Sequence, residues 1–301
     1  MITNAEFTAA AEELGFGRIY FLPADDIPTP YVKLVSSPRA ILPSAQTLIL
    51  LIMPYDLTDD GGCREGVISP YYKASQKAYK SVRLLEKKLI DSGAQAVCNA
   101  NIPLKAAVVK YDIGVQRLNS LTYINGIGST FHIQNIITDA VFEYSRIDRS
   151  LSVTDCSKCL RCLRTCPTGA ISSTGYVDPN RCLRFVSELK QIPEEFENKL
   201  CNKLLGCDEC QKACPHNRVD KTKSSFAYPL EKLLIGDLGD LPELIGTNLA
   251  RKTRMICKAC VLAANNNRTD LLPLIHELYK SSDPYISAAA RRAMERLEVK
   301  T

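Results

Sequence analysis

Apolar positions along this chain change their spacing several times, and each spacing predicts an element. Ala5 to Leu14 has helical spacing and stops at Gly15; Arg18 to Leu22 then reads as a short strand. A proline-rich loop, Pro23 to Pro43, leads to a continuous apolar run. That run, Ala45 to Met53, is bounded by Pro43 and Pro54 and predicts a buried strand. Gly61-Gly62 marks a loop. From Ser69 to Ser92, Tyr72, Tyr79, Val82, Leu85 and Leu89 recur at helical spacing with lysines on the other face, and Gly93 caps the helix. Ala96 to Cys98 and Tyr123 to Ile124 read as strands around a helix at Leu104 to Tyr111. Phe131 to Ile137 reads as another strand, ending at Thr138-Asp139. Strands and helices mixed in this way predict an α+β or α/β core of about 150 residues.

Beyond that core the pattern changes. Asp155 to Asn217 is loop-rich, with short helices expected after Cys162 and Cys210 and a helical insert from Leu183 to Leu205. The remainder reads as helix throughout. One helix covers Ala250 to Ala264, and a second runs from Asp270 to about Tyr279. A third starts at Ser282-Asp283-Pro284, with Ile286, Ala290, Ala293 and Leu297 on one face. Short helices of this kind resemble a HEAT-like repeat, which cannot bury its apolar face alone and is expected to pack on the preceding module. The expected segments are residues 1–150, 151–220 and 221–301.

Composition adds chemistry to this outline. The 301 residues include 13 cysteines and no tryptophan. Eight cysteines form two runs: Cys156-x2-Cys159-x2-Cys162-x3-Cys166-Pro167, and an isolated Cys182 followed by Cys207-x2-Cys210-x3-Cys214-Pro215. A cubane cluster needs four soft thiolates. The x2 spacings wrap three of them around one cluster, and the Cys-Pro residue crosses to the other. The expected sets are Cys156, Cys159, Cys162 and Cys214 for one [4Fe–4S] cluster, and Cys182, Cys207, Cys210 and Cys166 for the second. Zinc sites and disulfides are the rival uses of cysteine, but neither requires the x3-Cys-Pro ending. Cys257-x2-Cys260 lies in a helical segment without a partner pair and reads as helix packing.

The net charge is +5. From Arg251 onward ten Lys/Arg face five Asp/Glu, so this tail alone holds an excess equal to that of the whole chain. A basic tail suits an anionic partner such as RNA, or is a solvated helical surface. Glu6, Glu12 and Glu13 occupy the place of a secretory signal, and the run Leu48 to Met53 is too short to span a bilayer. The expected setting is a reducing cytoplasm, without a membrane partner.

The chain resembles the epoxyqueuosine reductase family along nearly its whole length. The carriers are the stretch from Ala40 to Leu50 (AILPSAQTLIL), the first cluster run from Cys156 to Ile171 (CSKCLRCLRTCPTGAI), and the isolated-ligand segment from Val177 to Cys182 (VDPNRC). The closing run from Gly206 to Asn217 (GCDECQKACPHN) and the Arg-rich tail complete the order. The resemblance implies a reductive-dehalogenase-like mixed α/β core, a dicluster ferredoxin-like module and a HEAT-like helical repeat. It also implies two [4Fe–4S] clusters, base-off cobalamin beside the second cluster near Cys182, and a low-potential electron donor such as a ferredoxin or flavodoxin. The implied activity is an oxidoreductase that reduces epoxyqueuosine in a tRNA to queuosine, with the cofactors supplying the electron chemistry.

This chain departs from the family pattern at several positions. The family's Asp-x-x-Pro acid falls on Ala100 within Asn99-Ala100-Asn101-Ile102-Pro103, and alanine cannot deliver a proton. The family's Gly-Leu-Gly-Trp-Ile-Gly-Lys-Asn becomes the stretch from Gly114 to Leu121 (GVQRLNSL). Its Asp-Tyr-His becomes Ala78-Tyr79-Lys80, and its Cys-Pro-Trp-Asn becomes Cys214-Pro215-His216-Asn217. Candidate replacement proton donors are Tyr111, Asp112 and Lys110, which otherwise form the polar face of their helix. Tyr79 is either a pocket or a core residue. His216 is either a cluster-tuning or corrinoid-facing group or a structural histidine. The departures leave two functions open: a reductase with that or an altered substrate, and a non-catalytic electron-transfer or corrinoid-reducing protein. An RNA-binding structural protein is a third.

Overall fold

A computed structural model describes residues 2–27, 36–59, 62–147 and 156–299. The boundary expected at 150/151, residues 28–35 of the proline-rich loop and Gly61 lie outside the described residues. The contacts form two compact units, each assembled from two stretches of chain: residues 1–55 with 74–159, and residues 56–73 with 160–301. Residues 56–73 contribute strands to the second unit.

The first unit is built on a sheet with the order β1 (Arg18–Pro23), β2 (Thr47–Pro54), β8 (Phe131–Thr138) and β5 (Ala96–Cys98), antiparallel at every pairing. The apolar run in β2 is unbroken because both faces of this strand are covered. Leu48, Leu50 and Ile52 point into one core, and Ile49, Leu51 and Met53 point into another. The second face is covered by α1 (Asn4–Glu13) and by the part of α3 (Pro70–Asp91) that lies in this unit. The Thr3–Glu6 capping box starts α1. Phe7, Phe21 and Phe142 meet there, with ring centroids 4.7–5.8 Å apart. The buried stripe of α3 is Ala74, Ala78, Val82, Leu85 and Leu89. Ala78 holds the position that the sequence reading gave to Tyr79, which is exposed beside Arg83.

The opposite face of the sheet carries α4 (Leu104–Lys110) and the hairpin of β6 (Gly114–Gln116) and β7 (Thr122–Ile124), through Ala107, Val108, Ile113 and Ile124. The proline-rich loop contains one turn of helix, α2 (Pro38–Ile41), whose Ser37 hydroxyl accepts the Ala40 N–H.

In the second unit, β3 (Leu57–Asp59) pairs in parallel with β10 (Val219–Ser224). A three-stranded sheet places β4 (Gly66–Ile68) between β11 (Ala227–Tyr228) and β9 (Lys203–Leu205). Two expectations are corrected here. The insert from Leu183 to Leu205 is helical only in α7 (Leu183–Val186), α8 (Glu194–Glu197) and a single 3-10 turn, and it ends in strand β9. The segment after residue 220 begins with strand, because β10 and β11 are needed to pair β3 and β4.

The helices α10 (Leu230–Leu234), α11 (Leu241–Ile245), α12 (Lys252–Asn265), α13 (Leu272–Tyr279) and α14 (Pro284–Glu298) enclose the core of this unit. Asp283 caps α14, and Ile286, Ala290, Ala293 and Leu297 are buried as their spacing predicted. Arg268 bridges Glu65 at 2.6 Å and Asp270 at 2.7 Å, joining residues more than 200 positions apart. Glu197 is buried between Arg292 (2.9 Å) and Arg296 (3.5 Å). Lys258, on α12, is 1 % exposed within this apolar core, and its ammonium donates to the Ser187 carbonyl.

Candidate metal centre

The cluster cysteines sit on short helices joined by tight turns. Cys156 and Cys159 bound α5 (Cys156–Cys159), which belongs to the first unit. Leu160 then turns through the left-handed region (φ 49°) into α6 (Arg161–Thr165), which carries Cys162. Cys210 lies in α9 (Glu209–Lys212), and α6 packs against α9. The short helices therefore contain Cys162 and Cys210 instead of following them. None of the cysteines is joined in a disulfide.

The isolated ligand is brought to its run by a local clamp. The Thr168 hydroxyl donates to the Arg181 carbonyl at 2.7 Å, and the Arg181 guanidinium returns to the Thr168 carbonyl at 2.5 and 3.1 Å. Cys182 follows directly, its N–H on the Asp178 carbonyl at 3.0 Å. Cys166, two residues before Thr168, is thereby held close to the Cys182 segment. The Cys166 sulfur accepts the Ala170 N–H at 3.3 Å and lies 3.7 Å from the Thr168 hydroxyl. Burial pushes this thiol up, but the N–H groups of Thr168, Ala170 and Ile171 and the Thr168 hydroxyl outweigh it, and the net shift is downward.

The closing run is held from behind. Gly206 sits at φ +83° and donates its N–H to the Ser187 hydroxyl at 2.8 Å. A Cβ at Gly206 would lie 2.6 Å from Ser69 Cβ and 2.8 Å from a Tyr72 ring carbon, so this position requires glycine. The Ser69 hydroxyl donates to the buried Asp208 carboxylate at 2.9 Å. The Tyr72 hydroxyl donates to Glu188 at 2.7 Å, and the Arg184 guanidinium lies 3.6 Å from the Tyr71 ring centroid. Burial pushes the Cys207 thiol up to about 12, with Glu209 N–H and Lys203 opposing. Cys210 moves further up, first by burial and then by the neighbouring Cys207 and Cys182 sulfurs, Asp208 and Cys162. Cys162, Cys182, Cys207 and Cys210 thus share one electrostatic neighbourhood. Half-buried soft sulfurs that repel one another as thiolates, with an N–H donor on Cys166, fit a site in which iron offsets the charge.

The candidate proton donors occupy other places. Tyr111 and Asp112 lie past the end of α4, so neither is on its polar face. The Tyr111 hydroxyl donates to the Pro23 carbonyl at 2.8 Å, and burial followed by Asp25 pushes it up to about 12. Lys110 donates to the Asp26 carbonyl at 2.8 Å. These groups pin the 23–26 loop. Tyr79 is 43 % exposed. His216 is half-buried directly after Cys214-Pro215. At the position where the resemblance expects the acid, Asn135 accepts the Ala100 N–H (3.1 Å) and donates to the Ala100 carbonyl (3.0 Å).

Sequence reading missed Asn135, Lys258 and Arg117. Lys258 had a signal, since it falls three residues after Met255 and four before Leu262 on the apolar face of α12. Arg117 lies in the rewritten Gly114–Leu121 stretch and places Nη1 3.7 Å from the Cys156 sulfur, within the first unit.

Residues 155–217 match the 4Fe-4S double cluster binding domain family. The chain is 33 % identical over 138 residues to the epoxyqueuosine reductase of Cyclobacterium marinum, an alignment covering 45 % of this chain and 44 % of that protein. It is 26 % identical over 205 residues to the enzyme of Bacillus subtilis, covering 60 % and 50 %. It thus spans about half the length of these curated relatives. The structure of the epoxyqueuosine reductase from Streptococcus thermophilus superposes with a TM-score of 0.78 at 22 % identity, covering 100 % of this chain and 91 % of that one. A structure of an epoxyqueuosine reductase with an epoxyqueuosine-modified tRNA-Tyr stem loop gives 0.74 at 22 % identity, covering 97 % and 89 %. A catabolic reductive dehalogenase gives 0.50 at 18 % identity, covering 88 % and 37 %. The fold is therefore that of these reductases. The double cluster domain, the curated relatives and the shared fold all make this chain similar to the epoxyqueuosine reductases.

Proposed function

We propose that this protein is an iron–sulfur reductase acting on a tRNA-borne substrate, either the epoxide of epoxyqueuosine or a close variant of it. The observation that supports this reading is the Thr168–Arg181 clamp, which holds the segment of Cys182, 25 residues before Cys207, against the segment of Cys166. Such an arrangement serves electron delivery. When bound, the clusters supply one-electron transfer. The chain's own residues fix the ligand sulfurs, shield them by burial and donate N–H groups to Cys166.

Cobalamin is part of the proposal through the family resemblance. Cys182 and His216 are the residues proposed to lie beside it, and a solvent-open polar recess lined by Ser69, Lys203, Asp208 and Lys212 adjoins Cys207. We read α12 to α14 as HEAT-like and their exposed Arg251 and Arg291 as part of a tRNA-facing surface. The proposed segments 1–150, 151–220 and 221–301 describe function along the chain, and a ferredoxin or flavodoxin in a reducing cytoplasm is the proposed donor. No helix among the described residues is long and apolar enough to cross a membrane.

A second reading, a non-catalytic electron-transfer protein, is favoured by one observation. The loop at Ala100 is held by Asn135 and presents no carboxylate, and the phenol of Tyr111 is engaged with the Pro23 carbonyl. Anaerobic reconstitution with iron, sulfide and cobalamin, followed by incubation with an epoxyqueuosine-modified tRNA stem loop and a low-potential donor, separates the two. Queuosine formation supports the reductase. Full cluster reduction without product, with cobalamin remaining free, supports the carrier.

A further inference from the structure

The hairpin from Gly114 to Ile124 carries a buried cation. Arg117 is 9 % exposed, and burying a guanidinium is costly unless a negative or electron-rich partner meets it. The loop fixes its direction. The Arg117 N–H donates to the Leu121 carbonyl at 3.0 Å, and the Ser120 N–H donates to the Arg117 carbonyl at 2.9 Å, with Ser120 in the left-handed region (φ 59°). The guanidinium lies 5.1 Å from the centroid of the Tyr123 ring, a ring itself 2 % exposed and held by the Asn119 amide on its hydroxyl at 2.9 Å. From this seat Nη1 reaches the Cys156 sulfur at 3.7 Å, within hydrogen-bonding range for a sulfur acceptor.

A neutral thiol gives little return for a buried guanidinium, whereas a ligand thiolate of an anionic cluster gives much. Hydrogen bonds to ligand sulfurs and nearby positive charge set the potentials of such clusters. Each electron added to the cluster increases its negative charge, so a fixed cation beside a ligand favours the reduced form. We propose that Arg117 is a positioning and potential-setting residue for the cluster that Cys156 ligates, raising its reduction potential relative to that of the second cluster. This rests on the double-cluster reading. Because the residue lies in the stretch where this chain departs from its relatives, the tuning would be a property of the divergent branch.

The test uses anaerobically reconstituted full chains: wild type, Arg117→Met and Arg117→Lys. Iron and sulfide content in the wild type checks the double-cluster reading by itself. EPR-monitored redox titration then follows each cluster. The expected result is a negative shift for one cluster in Arg117→Met, a smaller shift in Arg117→Lys, and an unchanged second cluster. Unshifted potentials, or equal shifts of both clusters, overturn the proposal. Should Arg117→Met fail to take up iron, pulsed EPR of the reduced wild type decides, with arginine labelled at the guanidinium by ¹⁵N. A nitrogen coupling to one cluster supports the assignment, and its absence overturns it.

Discussion

Lys258→Met tests the account of the second unit's core. Lys258 is 1 % exposed, with its ammonium on the Ser187 carbonyl and with Arg254 and Glu188 as the nearest charges. Burial, followed by repulsion from Arg254, lowers its pKa from 10.5 to about 7 despite Glu188. Below about pH 7 both the folded and the unfolded chain hold the proton, so the folded state bears the whole cost of a buried ammonium, about 5 kcal/mol. Between about 7 and 10.5 the unfolded chain keeps the proton that the folded chain has lost, so stability rises with pH. From pH 6 to pH 9 this contributes about 3 kcal/mol. Methionine fills a similar volume and forfeits one hydrogen bond, worth about 1 kcal/mol. The variant should therefore be more stable than wild type by about 4 kcal/mol at pH 6 and by only about 1 kcal/mol at pH 9. Anaerobic urea unfolding of both proteins at several pH values, followed by far-UV circular dichroism, reads this difference directly. A gain independent of pH, or a variant less stable at pH 6, would refute the assignment of a nearly neutral buried lysine.

Other outcomes follow from the geometry. Cys182→Ala should halve the bound iron while leaving the signal of the cluster ligated by Cys156, as measured by iron assay and EPR. Gly206→Ala, which forces a Cβ against Ser69 and Tyr72 at positive φ, should cost about 2 kcal/mol or more and lower iron occupancy beside Cys207. Glu197→Gln leaves Arg292 and Arg296 without their buried carboxylate and should cost about 3 kcal/mol by denaturant titration. If the variant is as stable as wild type, the ion pairs are not structural.

What could be read from the sequence depended on range. The two-faced burial of β2, the α3 stripe from Val82 to Leu89 and the capped start of α14 are local patterns, and all three appear in the structure. Tyr79 was misplaced because helical spacing alone does not say whether a small Ala78 or its large neighbour faces the core. Strands β9 and β11 were missed because each is too short to show alternation, and β10 because its residues from Lys221 to Ser224 are polar and exposed; all three pair with residues 57–68. At the candidate site the eight cysteines were visible from spacing. The parts that orient them were not: the Thr168–Arg181 clamp spans 13 residues, the Ser187–Gly206 bond 19, and Arg117 meets Cys156 across 39.

The three-stranded sheet around β4 also bears on how the molecule is made. Its central strand emerges early from the ribosome, yet it acquires its partners only when residues 203–205 and 227–228 have been synthesised. Gly206 and Cys207 directly follow one of those late partners. A nascent chain therefore presents Cys156, Cys159 and Cys162 well before the backing of the closing run exists. Because each expected set takes one ligand from the other run, the first set is complete only once Cys214 has been made. Pairings this distant in sequence form slowly. Loading of either cluster is therefore expected late, and maturation should depend on how quickly the sheet that backs Cys207 closes.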